Sequence, residues 1–354
     1  MQVFTDTTLG RVILENPLGW FHVVAVLMVL GTGWLCVSSP RQCPRFDWTT
    51  KEPLKLRPFK PKYHLTMSIE NSSASELIEM DRNYLDRMNL RKSIMRDHSE
   101  TVLAADRTCK PAIDELYSWL LGNYLSIRFP GMFELAGSNT ERYLHSLVTG
   151  DRFSTTPPND PFDALKVLGA LIDDDILFLM RSTDGDGYVL KAFVTCFPSG
   201  FDTREKFNWK LRDIHKPVPG YKEKLEKSMD KYFDRVETGK FIKRANWTIT
   251  TTDQLFVPGG THLYEGETPK EEVIDIEKTR VRCERQVLHR LPKTGAIVFS
   301  FKTYLYPLSD IKAEGLGGVL AEAIDGLRGG SVPEFHWYKR AAVWGETVKE
   351  YLRN

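Results

Sequence analysis

The sequence predicts an α+β domain in which helices surround an antiparallel sheet, preceded by one N-terminal transmembrane helix. Three observations predict this class: two pairs of strand-like runs joined by turn-forming residues, several helical apolar patterns between and after them, and one long uncharged apolar run. Antiparallel hairpins with helices gathered between them favour α+β over a doubly wound sheet. The predicted segments are a tail (1–19), a transmembrane segment (20–37), a basic proline-rich tether (38–62) and a folded domain (63–354).

The membrane segment is the first feature along the chain. No acidic or basic residue lies between Glu15 and Arg41, and residues 20–37 are long and apolar enough for a bilayer core. Seven basic residues follow within positions 41–62 but only Arg11 precedes, so the positive-inside rule puts the domain in the cytosol. We therefore expect a single-pass membrane protein, with the endoplasmic reticulum as a candidate membrane. A cleaved signal peptide is the alternative, although no basic cluster precedes the apolar run.

Charge and cysteine usage exclude several functions. The 48 basic and 47 acidic residues nearly cancel, and no basic stripe is interleaved with aromatic residues, which argues against nucleic-acid binding. The five cysteines are widely spaced, without a CxxC pair or a zinc-like cluster, which indicates a reducing compartment and no iron–sulfur cluster. The sequence also lacks a P-loop, a GxSxG motif, an HExxH motif and a complete GxGxxG motif.

Helical patterns dominate the first half of the domain. After an extended proline-rich stretch, Pro111 opens a helix whose apolar positions run to Tyr124. A capping box at residues 138–141 and a stop at Gly150 predict a second helix. A third helix is predicted over residues 162–172.

Strand patterns dominate the second half. Residues 176–180 and 188–197 flank a turn-forming cluster and predict a β-hairpin, and residues 279–290 and 296–305 predict another. Between the hairpins, an amphipathic helix is predicted from Gly220 to Gly239. Two further helices are predicted over residues 317–327 and 338–352.

The candidate chemistry lies in two places. His215 precedes Pro217 and Pro219, which stiffen the backbone and keep the imidazole out of a regular helix interior. A fixed imidazole suits an axial metal ligand or a catalytic base, and a histidine that only hydrogen-bonds in a loop is the alternative.

The strand over residues 279–290 carries the other candidates. Alternation puts Arg282 and Glu284 on one face and Arg285 on the other, and an inward Arg suits a carboxylate partner. A solvated edge strand is the alternative reading of these charges. Alternation alone leaves open which Arg faces the interior.

Taken together, six motifs resemble the haem-dependent oxidative N-demethylase family, most closely its fungal branch of HRQ family proteins. The likeness covers about residues 53–354, in the family's order and spacing. The motifs are LKLRPFKP (54–61), CFPSG (196–200), IHKPVPG (214–220), NW (246–247), RCERQ (282–286) and RLPKTGA (290–296).

The resemblance implies a PAS-like antiparallel sheet core that holds haem b. It also implies oxidation of a small methylated amine with O₂ and release of formaldehyde. Because the chain has no flavin, nicotinamide or cluster motif, the electrons are expected from an external reductase or ferredoxin-like protein.

The resemblance also implies site residues. His215 becomes the candidate axial ligand of the haem iron and a catalytic residue, with His262, His289 and His336 as alternatives. Arg282 or Arg285 would neutralise the haem propionates, because burying two carboxylates without cations is costly. Glu284 is the second catalytic candidate, holding one Arg or orienting a protonated amine, and Tyr221 is a further candidate for cofactor binding.

Two other functions remain open at this point. A PAS-like haem sensor or carrier would bind haem without turnover, since a fold does not fix a function. A cofactor-free interaction domain would leave the charged strand as a solvated edge.

Overall fold

Ten strands form two antiparallel sheets in this computed structural model, which describes residues 46–138 and 141–354. The larger sheet has seven strands in the order β1-β8-β9-β10-β6-β7-β2, and the smaller has the order β3-β4-β5. The strands are β1 (Glu70–Ser72), β2 (Leu103–Ala105), β3 (Phe133–Gly137), β4 (Arg142–Ser146), β5 (Arg152–Ser154), β6 (Asp175–Arg181), β7 (Tyr188–Val194), β8 (Phe241–Thr250), β9 (Arg280–Arg290) and β10 (Ile297–Pro307).

Twelve α-helices accompany the sheets within the described ranges. One π-helical turn, Leu120–Tyr124, continues the third of them. The helices are α1 (Tyr84–Asp97), α2 (Ser99–Val102), α3 (Lys110–Trp119), α4 (Leu125–Arg128), α5 (Pro161–Leu171), α6 (Leu211–His215), α7 (Tyr221–Lys224), α8 (Glu226–Arg235), α9 (Leu308–Ala313), α10 (Gly317–Asp325), α11 (Phe335–Tyr338) and α12 (Ala341–Arg353).

The two predicted hairpins form the middle of the large sheet. β9 pairs with β10 from Arg290↔Ile297 to Arg280↔Pro307, and Gly295 turns the chain between them with a φ of +69°. β6 and β7 form the other hairpin and join it through β10. Both predictions are confirmed, and the α+β class with a large antiparallel sheet is what the structure shows.

Three apolar clusters surround this sheet. Helices α1, α3 and α5 pack with β6, β7 and the Val287 end of β9. Helices α9 to α12 pack against Trp247, Cys283 and Tyr304. Helices α7 and α8 pack against Leu179 and Leu288. The segment between β7 and β8 therefore covers a different part of the sheet from the N-terminal helices.

Most helix predictions are confirmed. The Pro111 helix is α3 and its π-helical continuation, the helix expected over 162–172 is α5, and the helices expected near the C terminus are α10 and α12. Asp160 caps α5 by accepting a hydrogen bond from the Phe162 amide at 2.9 Å. The helix expected from Gly220 to Gly239 is divided at Leu225 into α7 and α8.

The helix predicted from the capping box at 138–141 is wrong. Ser138 Oγ accepts the amide of Glu141 at 3.2 Å, as such a box requires, but the chain then enters β4. β4 pairs with β3 on one side and β5 on the other, and these ladders satisfy its backbone groups. Pairing with neighbouring strands outweighs the local helix signal.

The membrane part of the predicted fold class and location is corrected. Within the described ranges, no helix is long and apolar enough to cross a bilayer. The longest, α1, has 14 residues, whereas a span needs about 20 apolar ones. The transmembrane helix predicted over residues 20–37 lies outside the described residues. A single-pass membrane protein with a cytosolic domain is therefore not supported, and the described residues form an α+β fold.

An extended segment before β1 closes one side of the domain. We call residues 63–69 the strap. Its Tyr63 amide donates to Gly326 O at 3.1 Å, its Tyr63 carbonyl accepts from the Ser331 amide at 3.1 Å, and its Leu65 amide donates to Ser331 Oγ at 3.0 Å. The strap is thereby attached to the chain between α10 and α11.

Candidate functional site

A cavity of about 360 Å³ lies between the large sheet, the strap and helices α6 to α8. One face of the sheet supplies its floor through alternate residues, because successive side chains of a strand point to opposite faces. The apolar lining comes from all of these elements. It includes Leu65, Met67, Leu177, Leu179, Leu190, Leu225, Met229, Phe233, Leu288, Phe299 and Phe301.

The polar lining is strongly cationic. Among the lining residues, Glu284 is the only carboxylate, whereas five lining residues carry basic side chains. The basic residues are Lys206, Lys243, Arg244, Arg282 and Lys339. Lys243 pairs with Glu76 at 3.0 Å, and none of the other four makes an ion pair with a described residue. The cavity thus combines an apolar wall with an excess of basic side chains.

His215 ends α6 and lines the cavity. Its Nδ1 lies 2.8 Å from the Leu211 carbonyl, which makes Nδ1 the protonated nitrogen, and its Nε2 has no hydrogen-bond partner among the described residues. The Tyr221 ring stacks on the imidazole with a centroid distance of 5.1 Å and an interplanar angle of 20°. The turn through Pro217 and Pro219 holds these two rings together.

Electrostatics keep this imidazole neutral. Burial lowers the pKa of His215 to about 4, and the nearby Lys206 and Arg244 act in the same direction, whereas the hydrogen bond to Leu211 opposes them. At neutral pH the ring therefore offers an Nε2 lone pair in a fixed orientation. A backbone carbonyl on the other ring nitrogen is the usual support of a metal-binding histidine.

Arg282 lines the cavity, but most of its N–H groups donate to backbone carbonyls of the protein. Its Nη2 donates to Phe197 O at 2.6 Å and Pro198 O at 3.1 Å, and its Nη1 donates to Leu255 O at 3.2 Å. Its Nε is buried without a partner. Because burial without a carboxylate disfavours the charge, the pKa of Arg282 falls to about 10. Three of its five N–H groups therefore hold loops in place, and its Nε has no partner among the described residues.

The loop fixed by Arg282 is the CFPSG motif at residues 196–200. Asp175 accepts the amides of Cys196 and Phe197, each at 2.8 Å, so the loop is held from two sides. Gly200 has a φ of +73°, and a Cβ there would lie 1.8 Å from Thr261 Oγ1. The motif needs glycine at this position because it brings the loop against the segment that carries His262.

Glu284 lies on β9, on the same face as Arg282, and lines the cavity half-buried. Its Oε2 accepts a hydrogen bond from Gln286 Nε2 at 3.0 Å, and it makes no ion pair with a described residue. A lone carboxylate in an otherwise cationic cavity can bind a cationic group.

Arg285 lies on the opposite face of β9. It donates to Leu77 O at 3.4 Å and to Glu76 O, and it does not line the cavity. The structure therefore brings His215, Tyr221, Arg282 and Glu284 around one cavity and leaves Arg285 outside it.

Of the other candidate histidines, one lines the cavity and two lie outside it. His262 lines the cavity 4.5 Å from the Tyr338 ring, and burial lowers its pKa to about 4. His289 lies on the Arg285 face of β9, stacked on Phe241, with neither ring nitrogen hydrogen-bonded to a described residue. His336 does not line the cavity. His215 and His262 are thus the two imidazoles of the site.

Sequence reasoning missed four of the five cations of the cavity, among them Arg244 and Lys339. The Arg244 side chain makes no hydrogen bond to a described residue, and its Nε is buried. Lys339 is 4% exposed, lies over the Tyr63 ring at 4.8 Å and donates to the Trp247 carbonyl. Burial lowers the pKa of Lys339 to about 7. Arg244 stands two positions before the Asn246-Trp247 motif, but nothing local marks Lys339, because α11 brings it to the cavity only in the folded chain.

One comparison with known proteins bears on this site. The family model described as haem-dependent oxidative N-demethylase, alpha subunit-like, matches residues 68–349 of this chain. The match covers most of the 354 residues and every element around the cavity except the first part of the strap.

Proposed function

This chain belongs to the haem-dependent oxidative N-demethylase, alpha subunit-like family, and on that premise we propose that it binds haem b in the cavity and demethylates a small methylated amine. The family description implies a haem cofactor and oxidative N-demethylase-like activity. The haem type, the substrate class and the residue roles are our proposals.

The cavity fits a haem. A haem is a flat apolar macrocycle that carries two carboxylates, and the cavity has leucine and phenylalanine walls beside cations without carboxylate partners. The clearest sign is Arg244, whose buried Nε has no partner in the described structure. Buried cations are normally paired, so an unpaired one facing a cavity indicates an anionic ligand. Arg244 and Lys339 would bind the propionates, with the free Nε of Arg282 as a further donor.

His215 is the proposed axial ligand. No cluster of three His, Cys, Asp or Glu side chains in the described ranges could hold a bare metal ion. A haem iron needs a single protein ligand, and the neutral His215 imidazole with its free Nε2 meets that need. Tyr221 would hold the imidazole by stacking, which is the cofactor-binding role we assign to it.

The reaction requires electrons that the chain does not supply by itself. Demethylation of R₂N–CH₃ by O₂ consumes two electrons and two protons and yields R₂NH, formaldehyde and water. The bound haem would supply the oxygen chemistry. An external reductase or ferredoxin-like protein would supply the electrons, because the sequence has no flavin, nicotinamide or cluster motif.

The chain's own side chains would bind the amine and shield it. Glu284 would bind the protonated amine by charge, as the one carboxylate among the lining residues. The strap places Leu65 and Met67 over the cavity and keeps bulk water from its apolar part.

The observation that carries the proposal is the neutral His215 imidazole, which lines a cationic cavity and whose Nε2 has no partner among the described residues, and the test is spectroscopic. We expect the haem-supplemented chain to show a Soret band that shifts or disappears in His215→Ala and returns in part with added imidazole. His336→Ala is the matched control, because His336 lies outside the cavity. A chain that acquires no Soret band would refute the haem proposal.

Turnover is tested separately, with a chemical electron donor. We expect oxygen uptake and formaldehyde release that depend on dimethylamine, with KM raised at least tenfold in Glu284→Gln because the amine loses its charge partner. A haem-loaded chain that consumes no oxygen with any methylated amine would be a sensor or carrier, and the enzymatic part of the proposal would fail.

A further inference from the structure

The segment that covers the cavity carries an exposed basic surface. Six cations between α6 and the end of α8 are exposed, and none forms an ion pair with a described residue. We call this set the basic surface. Its members are Lys216, Lys222, Lys224, Lys227, Lys231 and Arg235.

The basic surface is open because the neighbouring acidic residues are engaged elsewhere. Asp230 pairs with Arg212 at 3.2 Å, and Asp234 pairs with Arg181 at 2.6 Å. These partners lie on α6 and β6, so the acidic side of α8 is turned toward the protein. Asp213, Glu223 and Glu226 also lack ion pairs in the described structure, but they are outnumbered by the six cations.

Helical spacing puts the lysines and the buried apolar residues on different sides of the segment between α6 and the end of α8. Tyr221, Leu225, Met229 and Phe233 recur every four residues and are buried against the sheet. Lys227 and Lys231 lie two positions after Leu225 and Met229, which is about half a turn away on a helix. The lysines therefore point away from the cavity while the apolar residues line it.

The basic surface also lies on the outer side of the helical turn whose Tyr221 ring stacks on His215. Lys222 and Lys224 share a single helical turn with Tyr221, whose ring stacks on His215 at 5.1 Å. A partner on this surface is thus separated from the proposed iron ligand by one layer of side chains. Immediately before the strap, Lys60 and Lys62 are also exposed and make no ion pair with a described residue, but they are two cations against the six of the basic surface.

We infer that the basic surface is the docking site of an acidic electron-transfer protein. The inference rests on the proposed function, which needs two external electrons for each demethylation. Charge complementarity accelerates encounter and sets orientation, as a transient electron donor requires. A nucleic-acid partner is disfavoured, because the exposed lysines are not interleaved with exposed aromatic side chains.

The test is a charge reversal on the full chain. The variant Lys224→Glu, Lys227→Glu, Lys231→Glu changes the outer side of α7 and α8. The matched control, Arg107→Glu, Arg142→Glu, Lys293→Glu, reverses three exposed unpaired cations near α3 and β4. The probe is an acidic plant-type [2Fe–2S] ferredoxin. Its binding is measured by calorimetry with and without haem loading, and its reduction of the haem-loaded chain is measured by stopped flow.

We expect the reversed variant to be reduced by ferredoxin at least about tenfold more slowly at low salt, with weaker binding, because electrostatic steering changes association rates by about this much or more. The control triple should behave like the parent chain, and reduction by dithionite should be equal in all three. Unchanged ferredoxin reduction in the reversed variant, or equal slowing in the control, would overturn the inference and leave the haem proposal intact.

Other outcomes separate the two proposals. Binding to ferredoxin that depends on the basic surface in a chain without a Soret band would support the surface and refute the haem site. Cosedimentation with phosphatidylserine vesicles that depends on these lysines, without ferredoxin binding, would identify an anionic membrane as the partner and overturn the protein-docking inference.

Discussion

The two faces of the central sheet differ in how their cations are paired. On the face covered by α1 and α5, the buried cations Arg91 and Lys302 form ion pairs with carboxylates. On the cavity face, the buried Lys339 and the half-buried Arg244 have no carboxylate partner among the described residues. The second arrangement is the one that our proposed function assigns to an anionic ligand.

The paired face contains a network of buried ion pairs. Arg91 is fully buried and contacts Asp175 Oδ1 at 2.7 Å and the carbonyls of Gly169 and Asp174 at 2.8 Å each. Lys302, 1% exposed, reaches Asp81 at 2.7 Å and Asp173 at 3.2 Å. These contacts join α1 to β6 and β10 and support the CFPSG loop from below. The comparison leads us to propose that the pairing of a buried cation, more than its burial, separates structural charges from ligand-binding ones.

Removing a cation from the paired face should have the largest effect on stability. Arg91→Met leaves Asp175 buried without its cation, and we expect the free energy of unfolding to fall by about 3–5 kcal/mol. Urea denaturation followed by circular dichroism measures this change. A loss below about 1 kcal/mol would show that the network is not structural and would remove the basis of the comparison.

Asp174 should make the stability of this face depend on pH. Both of its carboxylate oxygens lack hydrogen-bond partners among the described residues, and burial raises its pKa from 3.8 to about 7. The folded chain therefore holds a proton that the unfolded chain loses, and this stabilisation disappears as the pH rises from about 4 to about 7.

We accordingly expect Asp174→Asn to be more stable than the parent chain near pH 8, by about 4 kcal/mol, with the difference vanishing near pH 4. Urea unfolding at a series of pH values measures the difference, in which the buried histidines cancel. Asp163→Asn, on the exposed surface, is the control. A difference that does not change with pH would contradict the prediction.

A substitution on the cavity face should change haem affinity instead of stability. Arg244→Met removes a cation without a protein partner, so we expect the haem-free chain to unfold at an equal or higher urea concentration. Haem affinity should fall about tenfold, by loss of one charge-assisted contact. Haem transfer to apomyoglobin measures the affinity.

Arg285→Met is the reciprocal control on the other face. It should lower stability by leaving the carbonyls of Glu76 and Leu77 without their donor, and it should leave haem affinity unchanged. If both arginine variants changed haem affinity equally, the distinction between the two faces would fail.

The smallest effect is expected at Tyr221. Its hydroxyl has only a weak contact, with Met229 Sδ at 3.8 Å, whereas its ring stacks on His215. Tyr221→Phe should therefore leave the Soret maximum in place and change stability by less than about 1 kcal/mol. Tyr221→Ala should broaden or shift the band, because the imidazole loses its support.

The fold was largely predictable because its central elements carry consistent local signals. Both hairpins combine strand patterns with turn residues, and α5 has its cap and apolar stripe in sequence. The helix expected after the box at 138–141 failed because β4 gains its partners from β3 and β5, which local sequence does not show. The membrane segment at 20–37 lies outside the described residues, and no described helix supports a membrane span.

The site was predictable only in part. Alternation along β9 correctly separated Arg282 and Glu284 from Arg285, but the choice of the inward face required the sheet order. His215 was marked by its prolines. Lys339 could not be found, because its cavity position depends on α11 packing beside Trp247. The role assigned to Arg282 also changes, since backbone carbonyls occupy most of its donors.

The strap also constrains the order of events during synthesis. Its hydrogen bonds go to Gly326 and Ser331, more than 250 positions later in the chain. Gly330 allows a backbone approach that a Cβ, 1.8 Å from the Tyr63 carbonyl, would block. The side of the cavity nearest the N terminus can therefore close only after nearly the whole polypeptide has left the ribosome. Until then that side of the cavity remains uncovered.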